Sequence, residues 1–517
     1  MPRRRRGWSG PLDKAIDSPA PARADRALIS ASIILATVMP AIDTTIANVA
    51  LPRMGGSMSA SVDQITWVLT SYIVGVVIMT PISGWLAQRF GRKRIFLISV
   101  VGFTIASGLC GAATSLGEMI VFRALQGALG APMAPLSQAV LLDTYDYEER
   151  GPILALWSMS LMVAPILGPV LGGHITETLN WRWVFYINVP IGIIATLGVA
   201  AFIPNERRDP TSRLDVVGWA MLSAFVVALQ LMLDRGQSAG WFESPEIITY
   251  AVLLAIALYL FVIHILTAEQ PFLPLALLRD RNLVMTTLVN MAVGLALYSS
   301  MALLPPLLQT FMGYPVEMAG WVLAPRGVGA LISSFIAGRL VGRFDDRLMI
   351  AFGLCTFAVS FLQMSGMSPD MDSRLIVVTG LIQGLGSGFI FIPLTTLGFA
   401  TIAPHLRSQA TGFATLLRNL GTSLGISIMV TLYTRDAQIA HARMAEAASP
   451  DNPLMRSSPI TPWYDLGDPA GLAALNGEIT RQASLAAYAS VFHLLFMLSL
   501  ALTPLVLLLQ KPKRISA

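Results

Sequence analysis

Cysteine, lysine and charge are all scarce in this chain. There are 2 cysteines in 517 residues, Cys110 and Cys355, each set in an apolar run, so no disulfide framework holds the fold. The lysines are Lys14, Lys93, Lys511 and Lys513. None lies in a Gly-rich phosphate-binding loop, and no Gly-x-x-x-x-Gly-Lys-Ser/Thr or His-Glu-x-x-His occurs, so the chain carries no ATP motor and no zincin-type metal site of its own. Gly421-Thr-Ser-Leu-Gly425 has the letters of a nucleophile elbow but lies inside an apolar run, where that strand-turn-helix device does not fit. With no paired acids, metal cluster or credible nucleophile, the chain does not read as an enzyme, and no cofactor is called for.

Only 13% of residues are charged, about half the share of a soluble globular protein. Hydrophobic residues make up 54%, and the mean hydropathy is +0.65. Too little polar surface exists to cover such a chain in water, so its solvent is lipid. The net charge of +5 is then the cytoplasmic excess of a polytopic membrane protein rather than a nucleic-acid footprint. The Arg3–Arg6 cluster and the Pro/Ala/Asp stretch to Arg26 read as a cytoplasmic tail, because no short apolar segment with a cleavage site follows.

A spanning helix needs about 20 mostly apolar residues. Fourteen runs qualify, at 27–50, 64–87, 95–114, 118–141, 151–175, 183–203, 216–233, 247–266, 283–308, 318–341, 348–366, 375–402, 411–434 and 486–510. Most of the 35 lysines and arginines fall in the tails and alternate loops that this count assigns to the cytoplasm, so both termini are expected there. The segment 436–483 is long, Pro-containing and polar, and is expected outside.

The chain repeats itself. The basic loop Gly84-Trp-Leu-Ala-Gln-Arg-Phe-Gly-Arg-Lys-Arg94 returns in degenerate form at Gly338-Arg-Leu-Val-Gly-Arg-Phe-Asp-Asp-Arg347, 254 residues on. Gln126-Gly127 recurs as Gln383-Gly384, and Arg150 as Arg407, both at an offset of 257. Internal repeats are how many secondary transporters are built. The expected plan is all-α: a six-helix half over 27–203, an inserted pair over 216–266 and a second six-helix half over 283–510, flanked by tails 1–26 and 511–517. Twelve spans with 216–266 as one re-entrant hairpin is the alternative.

Few residues in the runs can carry chemistry. Asp43 is the one acid well inside a run, and an intramembrane carboxylate usually faces a cavity, finds a partner and works. Arg123 is its expected partner. Asp43 lies seven residues before the end of its run and Arg123 five after the start of its own, which places both about 8–10 Å below the outer face. A proton on Asp43 would break such a pair and free Arg123, a two-state element for alternating access. Arg326 and Arg418 also lie inside runs, and each either counter-charges a cavity or binds an anionic substrate, or else hydrogen-bonds backbone at a broken helix. Small residues at Gly168 and Gly172 permit close helix packing, and Pro169 removes a helix hydrogen bond. This segment is expected to seal an interface between the halves. Trp67, Tyr72, Trp157, Tyr298, Phe389 and Phe391 are candidate cavity aromatics.

These motifs together resemble the major facilitator superfamily, in its fourteen-span drug:proton antiporter family of the EmrB type. Gly84, Arg89, Gly91, Arg92, Lys93 and Arg94 match the cytoplasmic gate motif. Arg123-Ala-Leu-Gln-Gly127 matches the arginine motif of helix four. Pro165, Gly168, Pro169, Gly172 and Gly173, in Ala164-Pro-Ile-Leu-Gly-Pro-Val-Leu-Gly-Gly173, match the antiporter motif of helix five. Ile42-Asp-Thr-Thr-Ile-Ala-Asn-Val-Ala-Leu-Pro52 matches the helix-one motif. One departure is Gln88, where the gate motif usually carries Asp, which leaves the inner lock with hydrogen bonds alone at that position. The resemblance implies proton-driven export of lipophilic or amphipathic compounds across a bacterial inner membrane, with protons passing through Asp43 and Arg123. It also implies a periplasmic membrane-fusion adaptor, for which 436–483 is the expected contact, and an outer-membrane channel. The other readings are a proton-coupled exporter of one endogenous metabolite, siderophore or fatty acid, and uptake by symport, which the helix-five motif disfavours.

Overall fold

The computed structural model describes residues 23–204, 213–269, 271–368, 371–403, 406–448, 468–506 and 509. Residues 1–22 of the N-terminal tail, the whole of the C-terminal tail 511–517 and the middle of the 436–483 segment lie outside this set. The described residues form helices: α1 (Arg23–Ser57), α2 (Trp67–Phe90), α3 (Arg92–Ala112), α4 (Leu116–Gly130), α5 (Met133–Thr144), α6 (Tyr147–Thr178), α7 (Asn188–Phe202), α8 (Val216–Gly236), α9 (Pro245–Thr267), α10 (Arg281–Pro306), α11 (Val316–Leu340), α12 (Asp346–Ser365), α13 (Arg374–Phe399), α14 (Arg407–Ala447) and α15 (Pro469–Val506). α4 and α5 follow one another as a single apolar stretch. Thirteen spans among the described residues are long and apolar enough to cross a membrane, and the 32-residue α6 stands where the remaining run is expected. α8 and α9, of 21 and 23 residues, are each about 30 Å long, enough to match the thickness of a hydrocarbon core.

The helices are built for lipid on one side and for each other on the other. α9 is strongly apolar, yet little of it is buried within the protein. Leu253, Ile256, Tyr259 and Leu266 on it are exposed, as an outer helix in lipid requires. Inside, each half has its own apolar core. One joins Ile33, Phe96, Phe103 and Trp157, and the other joins Leu304, Phe357, Phe361, Tyr488 and Phe492.

Packing shows the repeat more clearly than sequence does. α2 and α4 approach so closely that a Cβ on Gly127 would sit 2.1 Å from the Tyr72 carbonyl oxygen, and one on Gly75 would sit 2.2 Å from that of Ala124. In the second half, a Cβ on Gly384 would sit 2.0 Å from the Arg326 carbonyl oxygen, and one on Gly329 would sit 2.3 Å from that of Leu381. The two interlocks are the same contact displaced by 254 residues in one helix and 257 in the other. Only glycine admits backbone this close.

Two stretches differ from expectation. The basic segment 84–94 is hardly a loop: α2 runs to Phe90, α3 begins at Arg92, and Gly91 alone makes the corner, at φ 92°, a conformation that glycine adopts without strain. The 436–483 segment is largely helix at its two ends, since α14 runs to Ala447 and α15 starts at Pro469. Hydropathy sees where a helix leaves lipid, not where it ends. The Ala-rich stretch Ala437–Ala447 keeps its helix propensity after it turns polar. At 41 and 38 residues, α14 and α15 are about 60 Å long, twice the hydrocarbon thickness. Ser490 donates to Asp436 at 2.7 Å and His441 meets Asn476 at 3.0 Å, so the two pair as a hairpin where they rise past the apolar core.

Candidate functional site

Asp43 and Arg123 meet. Arg123 Nη1 lies 2.5 Å from Asp43 Oδ2, and both side chains are fully buried. An ion pair with no solvent has to draw its remaining hydrogen bonds from the protein, and four helices supply them to all but Arg123 Nη2, which is buried without a partner. Gln126, one turn along α4 from Arg123, donates Nε2 to Asp43 Oδ1 at 2.9 Å and accepts from Arg123 Nη1 at 2.7 Å. Asn188, at the start of α7, donates to the same Oδ1 at 3.0 Å and to Ser107 Oγ of α3 at 3.0 Å. Arg123 Nε donates to the Val68 carbonyl of α2 at 3.1 Å. The guanidinium lies over the Tyr72 ring at 4.3 Å, and 5.6 Å from that of Phe185, where a cation is attracted to the ring face.

A proton would upset this arrangement. Both Gln126 and Asn188 donate to Oδ1, so a proton arriving on Asp43 has room only on Oδ2. There it would point a second donor at Arg123 Nη1, and the strongest contact of the network would turn from attraction to repulsion. Because Asp43 is wholly buried, loading it requires a conformation other than this one. Asp43 and Arg123 are the pair that sequence reasoning expected. Gln126 stands in the arginine motif without a role and Asn188 was not singled out, because spacing along the chain does not show that α4 and α7 converge on α1. Of the candidate aromatics, Tyr72 belongs to the site, whereas Trp157 is a core residue whose Nε1 donates to Ser137.

The antiporter motif packs directly on α1. A Cβ on Gly168 would fall 2.0 Å from Thr45 Oγ1, and one on Gly172 would fall 3.2 Å from the Ile46 carbonyl, whereas nothing lies within 4 Å of one on Gly173. This close approach is therefore within the first half, beside Asp43, rather than across the halves as expected. The side chains of Pro165 and Pro169 lie outside the described set. The cross-half approach on the same helix is at its other end, where a Cβ on Gly151 would meet the Gly338 carbonyl at 2.5 Å.

The halves are latched at the end carrying the 84–94 segment. Asp143, at the end of α5, pairs with Arg92 of the first half and Arg407 of the second. Gln88, where the gate motif usually has Asp, accepts a hydrogen bond from Gln409 of α14 at 3.2 Å. The substitution thus exchanges a charge for a direct link between halves. Gly84 and Gly91 are buried and Arg94 is exposed, with Arg89 and Lys93 between.

Arg326 and Arg418 do not resemble Arg123. Arg326 Nε and Nη2 are buried with no hydrogen-bond partner. Arg418 is half-buried, with its Cγ 3.6 Å from the position of a Cβ on Gly294. A separate cavity of about 230 Å³, bounded by Trp85, Asp215, Phe225, Phe261 and Phe413, opens between the inserted pair and α14, away from the ion pair. At its edge Asp215 takes hydrogen bonds from Gly218 N–H, Phe272 N–H and His264. Partial burial acts to raise its pKa, but these donors outweigh that and hold the carboxyl below its ordinary value.

A twice-built helical body with one occluded ion pair and a latch between its halves is the architecture of a secondary transporter. Residues 33–426 match the model of the Major Facilitator Superfamily, and the chain belongs to that family. It is 38% identical to the multidrug export protein EmrB of Escherichia coli K12 over 428 residues, 82% of this chain and 84% of that one. It is 35% identical over 503 residues to the fatty acid resistance protein FarB of Neisseria gonorrhoeae, 96% and 98% of the two chains. Among solved structures, the human organic anion transporter MFSD10 shares the fold, with a TM-score of 0.61 at 14% identity over 92% of this chain and 99% of that one.

Proposed function

We propose that this protein is a proton-driven exporter, a drug:proton antiporter that moves lipophilic and amphipathic compounds out across a bacterial inner membrane, with both termini in the cytoplasm. The observation that carries the reading is the Asp43–Arg123 pair, fully buried and completed by Gln126 and Asn188. Protonation from outside releases Arg123, the latch at Asp143 opens toward the cytoplasm, and substrate binds there. Loss of the proton to the cytoplasm restores the pair and returns the chain to the closed arrangement. The antiporter segment supports coupling, because Gly168 and Gly172 hold α6 against the stretch of α1 that carries Asp43, so movement at Asp43 is transmitted to a helix that also touches the second half.

The names of the relatives support multidrug export as the substrate class. Export of a single endogenous metabolite, siderophore or fatty acid is the second reading, favoured by the match to a fatty acid resistance protein along nearly the whole chain. We place the protein as the inner-membrane pump of a tripartite system. The α14–α15 hairpin stands about 20 Å beyond the apolar core, and its polar end is the contact for a periplasmic membrane-fusion adaptor, with an outer-membrane channel beyond.

The test is uptake of a lipophilic dye into everted membrane vesicles under an imposed pH gradient without ATP. Accumulation that nigericin collapses and that Asp43→Asn loses, with dye binding retained, is the expected result. Full coupled uptake by Asp43→Asn would overturn the assignment.

A further inference from the structure

The second half repeats the site of the first with the acid removed. The α2–α4 and α11–α13 interlocks superpose Tyr72 on Arg326 and Arg123 on Gly380. Gln126 maps to Gln383, and as Gln126 donates to Asp43 in the first half, Gln383 donates to Ser300 at 3.3 Å in the second. Both pairs are separated by 83 residues, so Ser300 stands where Asp43 would. The arginine has moved across from α13 to α11, into the space that Gly380 leaves: a Cβ built on Gly380 lies 3.7 Å from Arg326 Cβ. The cation has been kept and its carboxylate has become a hydroxyl.

What remains is out of balance. Arg326 Nε and Nη2 are buried and make no hydrogen bond, and Gln383 Oε1 is a buried acceptor without a partner. Among the described residues no acid pairs with Arg326. Around it, Val322 one turn before Arg326, Ile376 one turn before Gly380, and Leu297 and Leu304 on either side of Ser300 belong to a single apolar cluster. A guanidinium in such surroundings is costly unless an anion meets it, and the N–H groups of Nε and Nη2 form one edge of the fork that holds a carboxylate. Arg326 is eight residues into the span Met318–Leu340, about 12 Å along the helix, inside the hydrocarbon core rather than among lipid headgroups. The anion it fits is therefore that of a solute.

We propose that Arg326, with Gly380 and Gln383, is the carboxylate-binding subsite of the transport pathway, and that the protein selects amphiphiles bearing one negative charge and an apolar tail. The direction of transport rests on the export reading above, but the binding chemistry does not. Gln383 offers its free oxygen to a protonated or hydroxylated head, and the apolar cluster takes the tail. The first half is thus the site of the proton and the second half the site of the substrate's charge.

Equilibrium binding of dodecanoate and of dodecanol to the purified full chain in detergent, at fixed pH and without a gradient, tests this. Dodecanoate should bind the native protein more tightly than dodecanol. Arg326→Gln should weaken dodecanoate by about tenfold to a hundredfold, the loss of a charge-assisted pair, and leave dodecanol unchanged. Gly380→Asp supplies the missing acid in ordinary van der Waals contact with the Arg326 stem. It should raise thermal stability and abolish dodecanoate binding in a folded protein, which guards against Arg326→Gln simply failing to fold. Equal dodecanoate affinity in the native protein and in both variants would overturn the proposal. Gradient-driven export of a neutral dye, measured alongside in vesicles, reads the proposed function separately. Its loss in the native protein would sink export without touching the binding result, and its survival in Arg326→Gln beside lost dodecanoate transport is the outcome expected here.

Discussion

Removing one member of the Asp43–Arg123 pair should harm the fold more than removing both. Arg123→Met leaves Asp43 buried, with donors only from Gln126 and Asn188 and no counter-charge. Breaking a buried pair from one side costs about 3–5 kcal/mol. Unfolding entropy of roughly 2.1 cal/mol/K per residue, over 517 residues, gives about 1.1 kcal/mol/K, so a loss of about 4 kcal/mol lowers the melting temperature by about 4 °C. Arg123→Met also forfeits the hydrogen bond to the Val68 carbonyl and the stacking on Tyr72, but these losses recur in the double variant and cancel in the cycle. Asp43→Asn/Arg123→Met leaves no buried charge, and the new amide can still accept from Gln126 and Asn188. The double variant should therefore recover most of the loss, with a coupling of about 3 kcal/mol in a double-mutant cycle. The assay is thermal unfolding of the four proteins in one detergent at one pH. Additive shifts, with the double variant falling by the sum of the singles, would show that the two groups do not depend on one another and would refute the pairing.

Two further outcomes follow from the latch and from the inserted pair. Asp143→Asn removes the bridge between Arg92 and Arg407. Such partly exposed pairs contribute roughly 1 kcal/mol together, so the closed-to-open ratio should drop about fivefold. Maleimide labelling of Ser83→Cys, a buried position beside the latch, in a Cys355→Ser background should speed up accordingly, and an unchanged rate would show that the bridge does not hold that end shut. Asp215 is held below its ordinary value by the hydrogen bonds of Gly218, His264 and Phe272, so it contributes stability above about pH 4 that is lost as pH falls through its lowered folded value. Asp215→Ala should be less stable than the native protein at pH 7, and the gap should close toward pH 3 when melting temperatures are compared across that range.

Much of this protein is legible in its sequence because lipid is a simple solvent. Twenty apolar residues make a span whatever surrounds them, and each of the fourteen runs is matched by helix. The repeat is written in recurring glycines and glutamines, and Asp43 and Arg123 stand out because a charge in an apolar run demands a reason. Their similar depth along each helix permitted a pair, provided that the two helices were neighbours. The limits of the two long helices were not legible, because hydropathy registers the exit from lipid and not the end of hydrogen bonding, so α14 and α15 passed their predicted ends. Nor was the single-residue corner at Gly91, which a cluster of basic residues disguises as a loop.

The sequence by itself determined the solvent, the helices, the two halves and the residues too charged to be idle, since each of these follows from composition and local spacing. Only the tertiary structure decided who meets whom. It brought Gln126 and Asn188 onto one oxygen of Asp43, turned Gly168 and Gly172 toward α1 instead of toward the other half, joined Gln88 to Gln409, and left Arg326 beside a glycine with no acid among the described residues to answer it. Those contacts depend on the rotation of each helix about its axis and on which neighbours it packs against, and these are settled by the fit of whole surfaces rather than by any one segment of chain.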